Sequence, residues 1–191
     1  MKAFNGFKAE KASSGREILP AGAYVCEIKS VKEEEYSGSY GTVSFLSLAI
    51  EIVEGDYAGF WKKDFDGNDR EDKKWRGIYR LSIPKDDGSE KDGWTKRTFG
   101  NFIYAVQESN PGYTWNWDEK TLKGKKVGVL YRNKEWEYNG RSGWTTEAAG
   151  SAPIEDVRKG VCKLLKDKPL ANRPQTATVA ETVDDEGELP F

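Results

Sequence analysis

The sequence predicts a mainly β protein, and three observations carry that expectation. Apolar and polar residues alternate in several short runs, the period of a half-buried strand. Asn139-Gly140 separates two such runs, and both residues tolerate the positive φ of a tight hairpin turn. One stretch changes period: Phe99, Phe102, Ile103 and Val106 fall at helical spacing.

Residues 1–17 form a polar lead-in containing Phe4 and Phe7. Pro20-Ala-Gly22 punctuates the start of a first strand, in which Tyr24, Cys26 and Ile28 alternate with Val25, Glu27 and Lys29. Tyr36 to Gly41 is rich in turn formers and reads as a loop with a tyrosine, Tyr36 or Tyr40, on each side. From Thr42 to Val53, Leu46, Leu48, Ile50 and Ile52 share one face, and Phe45, Ser47, Ala49 and Glu51 the other. Phe60 to Phe65 reads as a short, basic third strand; the run from Trp75 to Ile83 is a further strand, ended by Pro84. A helix is expected from about Thr95 to Glu108, closed by Asn110-Pro-Gly112. Lys125–Tyr138 places Val127, Val129 and Tyr131 on one side of a strand, and a final strand runs from Arg141 to about Ala148.

Counting one third strand within 58–84, the order is three strands, a helix and two strands, that of the OB-fold, a five-stranded barrel with its helix between strands three and four. The expected organisation is an OB-fold domain over 18–150, a short helical extension over 151–165, a flexible linker over 166–183 and an acidic tip over 184–191.

Composition narrows the chemistry. Charged residues make up 32% of the chain and apolar residues 37%, yet there are 7 Trp, 9 Tyr and 8 Phe, enough for surface stacking as well as a core. Five of the 32 acids and none of the 30 bases fall in 181–191, which leaves residues 1–180 at +3. A basic body with an acidic tail suits a nucleic-acid binder. Without histidine, a Cys/His zinc site and a Ser-His or Cys-His nucleophile pair are excluded. Cys26 and Cys162 are expected as free thiols of a cytoplasmic protein, since no signal peptide or membrane-spanning run is read.

Enzyme signatures are thin. The run DFDGND at 64–69 resembles a calcium loop, but Asp69 stands where that loop needs Gly, and Trp75 where it needs Glu. Gly124-Lys125 lacks the rest of a phosphate-binding loop. No catalytic residue, metal or cofactor is expected; a metal-dependent nuclease using the Asp64–Asp72 acids is the alternative from another class.

Binding a single strand needs bases beside stacking rings. Lys62 and Lys63 adjoin Trp61, and Arg76 and Arg80 flank Tyr79, a residue expected to face the core. A two-residue turn at Asn139-Gly140 sets Tyr138 opposite Arg141 and Trp136 opposite Gly143. The competing reading has Trp136 and Tyr138 cap the barrel end. With Tyr36, Tyr40, Phe45 and Arg132, these make the nucleic-acid candidates: Tyr36, Tyr40, Phe45, Trp61, Lys62, Lys63, Arg76, Arg80, Arg132, Trp136, Tyr138 and Arg141.

In the tip, Asp184, Asp185, Glu186 and Glu188 precede Leu189, Pro190 and Phe191. A stiffened ring with an acidic run beside it is a handle for a basic-rimmed pocket; the alternative is a frayed acidic terminus. The tip resembles the partner-docking end of bacterial single-stranded DNA-binding proteins, with Gly187 interrupting the acidic run. Leu19-Pro-x-Gly-x-Tyr24 and Glu54-Gly-x-Tyr-x-Gly59 resemble small phage proteins of that type, over about residues 19–61. Asp66–Asp92 is longer than in that pattern and leaves the third strand open within 58–84. The resemblance implies a protein that coats single-stranded DNA in phage replication, recombination and repair, within the host cytoplasm. It implies replication, recombination and repair proteins as partners of the tip. An annealing or recombination-mediator protein is the nearest alternative, and self-association is left open.

Overall fold

The computed structural model describes residues 17–38 and 41–170. The expected roles of 1–16, Tyr40, 171–183 and tip residues Asp184, Asp185, Glu186, Glu188, Leu189, Pro190 and Phe191 lie outside the described residues. Five segments pair as strands: β1 (Gly22–Gly38), β2 (Gly41–Ile52), β3 (Ile78–Ser82), β4 (Lys126–Tyr138) and β5 (Arg141–Ala152). They form one antiparallel sheet in the order β3-β2-β1-β4-β5. Tyr79 of β3 and Ser151 of β5 come within reach of each other's hydroxyls, so the sheet curls, but no ladder joins its two edges among the described residues.

Strand alternation sets the core. Leu46, Leu48, Ile50 and Ile52 of β2 are buried with Cys26 and Ile28 of β1, Tyr79 and Leu81 of β3, and Val127, Val129 and Tyr131 of β4. Irregular register puts an extra residue, Lys29, in β1 opposite β2 and another, Ala149, in β5 opposite β4, bending β1 and β5. Between β3 and β4 in the chain, helix α2 (Glu90–Ser109) buries Phe99, Phe102, Ala105 and Val106 against this face. It begins five residues before the expected Thr95 because Ser89 Oγ caps it, accepting from Asp92 N–H at 3.1 Å. At its other end Asn110 donates to Val106 C=O and Lys126 C=O and accepts from Lys126 N–H, tying the helix to the start of β4.

Two expectations are corrected. Phe60–Phe65 is not a strand but helix α1 (Phe60–Asp66), and the third strand is β3. The buried Glu51 carboxylate of β2 accepts from Trp61 N–H at 3.1 Å and Lys62 N–H at 2.7 Å, satisfying backbone donors of the first turn. Trp61 and Phe65, four residues apart, then share one helix face, Trp61 beside Tyr131 and Phe65 beside Trp75. The second correction concerns Tyr36, which belongs to β1 rather than a loop: the ladder with β2 continues through Tyr36↔Val43 to Gly38↔Gly41.

The final strand reaches Ala152, and Ile154–Arg158 forms the short helix α3. Lys168, near the start of the expected linker, bridges in parallel to Lys134 on the edge of β4 that β1 leaves open. No helix among the described residues is long and apolar enough to cross a membrane.

Candidate nucleic-acid interface

The β4–β5 hairpin is built by its turn. Asn139 (φ 49°) and Gly140 (φ 71°) supply the two positive φ values of a two-residue connection. That turn fixes the register, with Tyr138↔Arg141, Trp136↔Gly143, Lys134↔Thr145 and Arg132↔Glu147 on one face. The period of two sends Glu135 and Glu137 to the other face. Rings and bases therefore share one surface, from which two acids of the same strand are turned away.

β4 pairs with β1 only from Lys126 to Tyr131, so the hairpin projects beyond that ladder. Trp136 is 40% exposed and Tyr138 72%, so both face solvent rather than capping the end of the sheet. A Cβ on Gly143 would come 3.1–3.2 Å from Trp136 Cζ2, Cε2 and Nε1. The indole thus lies directly over the bare glycine, its outer side open.

Behind the rings lies a basic cluster around one acid. Glu147 accepts from Arg132 Nε and Nη2 at 3.0 and 2.8 Å and pairs with Lys134 at 3.1 Å, with Lys168 3.8 Å away. Burial pushes the Glu147 carboxyl up, but the hydrogen bonds from Arg132 and Lys134 outweigh it and hold it below its ordinary value. One carboxylate faces three bases, so net positive charge remains beside the rings. Arg141 sits at the tip with no ion-pair partner among the described residues.

Tyr36, Phe45 and Arg80 gather on a second surface, the outer face of β1, β2 and β3. Phe45 lies between Ser82 and Glu34, and Ser47 between Arg80 and Lys32. Tyr36 is exposed, Phe45 half-buried, and Tyr79 buried as expected, leaving Arg80 outside. An acid sits among them, however. Glu34 accepts from Ser47 Oγ at 2.5 Å and from Lys32 at 3.3 Å, bonds that hold its carboxyl ionised, below its usual range. This face is the poorer cradle for phosphate.

Trp61 joins neither surface. It is 7% exposed, and its indole N–H donates to Tyr131 Oη at 3.3 Å. Gly77 packs beneath it, where a Cβ would fall 2.6 Å from the indole. Trp61 is thus a core residue and no stacking ring. Lys62 pairs with Asp66 at 2.5 Å, Lys63 with Glu17 at 3.6 Å and Arg76 with Asp64 at 3.9 Å, all at the surface. No group of three or more His, Cys, Asp or Glu side chains among the described residues could hold a metal ion.

Lys134 and Lys168 extend the hairpin surface beyond the residues singled out from sequence, whereas the exposed Trp144 pairs with Glu135 on the opposite face. Lys134 was legible in the alternation Lys-Glu-Trp-Glu-Tyr of 134–138; Lys168 was not, because a bridge from a distant segment brings it there. The chain matches no family model, and a search of curated proteins returns no match.

Proposed function

We propose that the protein binds single-stranded DNA through the β4–β5 hairpin, on a sheet of the OB type. The strand order β3-β2-β1-β4-β5, the approach of Tyr79 to Ser151 and the helix between β3 and β4 support that barrel type, whose β4–β5 loop is one of its oligonucleotide contacts. The observation that carries the reading is the hairpin face: Trp136 open over Gly143, Tyr138 beside Arg141, and Lys134 and Arg132 behind them. Rings take the unstacked bases and bases take the phosphates; neither contact reads sequence, so binding is sequence-tolerant. The protein coats transient single strands in phage replication, recombination and repair within the bacterial cytoplasm. It recruits partner proteins through residues 184–191.

Titration of intrinsic tryptophan fluorescence with oligo-dT and with duplex DNA tests this. Quenching by oligo-dT that weakens with salt, at a log–log slope of about −0.7 per phosphate neutralised, is expected. Equal or tighter binding of duplex contradicts it.

A further inference from the structure

A second ring cluster lies away from the hairpin. After α2 the chain turns back, with Trp115 N–H held by Gln107 Oε1 at 2.9 Å. This brings Trp117 parallel to Phe99, centroids 6.5 Å apart and planes at 10°. Trp115 stands 6.2 Å from Trp117 and 6.4 Å from Phe99. The three rings wall a cleft of about 620 Å³. Trp117 is 81% exposed and held at φ 66°, a left-handed conformation that a bulky residue adopts only at a cost in energy. A large ring kept out of the core at such a cost points to a ligand.

The charge of the cleft says which kind. Glu33, Asp86 and Glu119 line it against a single base, Lys96. The Lys96 ammonium is already engaged by Asp86 and by Asp92 at 3.1 Å. Neither Glu33 nor Glu119 is ion-paired among the described residues. A phosphate entering here meets carboxylates, so a nucleic-acid strand is disfavoured. A cation meets acids at the rim and ring faces within, which attract it. Among cations, a guanidinium is planar, weakly hydrated and stacks on aromatic faces.

We propose that this cleft docks a basic peptide segment of a partner protein, seating an arginine against Trp117 and Trp115 with Glu33 and Glu119 at the rim. The site is separate from the hairpin and takes the opposite charge.

The test follows the indole N–H signals of the seven tryptophans by NMR in the ¹⁵N-labelled full chain. The probe is acetyl-Gly-Arg-Gly-Arg-Gly-amide. Saturable movement of the Trp115 and Trp117 signals is expected, with Trp136 unmoved. Changing Glu33→Gln together with Glu119→Gln should weaken it about threefold or more. Trp117→Ala, at an exposed position, should abolish it while the other indole signals stay in place. The proposal is overturned if the peptide moves neither signal at millimolar concentration, or if the citrulline version moves them equally. It is also overturned if oligo-dT moves them instead, which marks a nucleic-acid site, or if they move with protein concentration alone, which marks a second copy as the occupant.

Discussion

Helix α1 and the β4–β5 hairpin share one sequence signature, a tryptophan near bases, and end with opposite exposures. In α1 a helical turn rolls Trp61 inward over Gly77 while Lys62 and Lys63 point to solvent, so ring and bases part company. In the hairpin the period of two keeps Lys134, Trp136 and Tyr138 on one side, and β4 has left β1 behind, so among the described residues both rings stay exposed. Adjacency in sequence separates side chains in both kinds of element; a spacing of two on a strand brings them together. A ring-and-base pattern therefore reports a binding surface only when its spacing matches the element that carries it.

The largest expected effect breaks the comparison on the α1 side. Trp61→Ala should destabilise the fold by about 3–5 kcal/mol, read from denaturant unfolding, while molecules that stay folded keep their affinity for oligo-dT. In the hairpin the effects should reverse. Trp136→Ala should weaken binding by about 1–3 kcal/mol and leave the unfolding midpoint nearly unchanged. Gly143→Val should act the same way with Trp136 itself retained, since the new side chain would displace the indole from its seat.

Much of the fold was legible because strand alternation and burial agree. Leu46 to Ile52, Val127 to Tyr131 and the Asn139-Gly140 turn all stand where their periods put them. Helix α1 was hidden because its first turn is capped by Glu51, a residue ten positions before Trp61 on another element. The length of β1 was hidden because Tyr36 to Gly41 is rich in turn formers, whereas pairing with β2 through Gly38↔Gly41 satisfies its backbone. In the site, the partners Tyr138↔Arg141 and Trp136↔Gly143 followed from the turn alone; their exposure depended on where β1 stops pairing with β4. Trp115 and Trp117 escaped notice because they lie outside any periodic element, although two tryptophans in Thr-Trp-Asn-Trp-Asp were a signal.

A smaller effect sharpens the electrostatic side of the hairpin. Glu147→Gln frees Arg132 and Lys134 and should tighten oligo-dT binding by up to about 1 kcal/mol, most at low salt. The same carboxyl has a folded-state pKa held below its ordinary value. Its contribution to stability is therefore present above the ordinary carboxylate range and is lost as pH falls through the lower, folded-state value. Acid unfolding of Glu147→Gln should accordingly depend less on pH below that range. Least of all, Lys62→Ala and Lys63→Ala should leave oligo-dT affinity within experimental error, since both lysines sit on α1, away from the hairpin rings.

Ultraviolet cross-linking of oligo-dT to the full chain, with the adducts mapped by peptide mass, puts the hairpin assignment to the most direct test. Bases stacked on rings should leave adducts within residues 132–144, centred on Trp136 and Tyr138, and these should disappear in Gly143→Val. Adducts confined to Tyr36 and Phe45, or to Trp115 and Trp117, with none in the hairpin would contradict it.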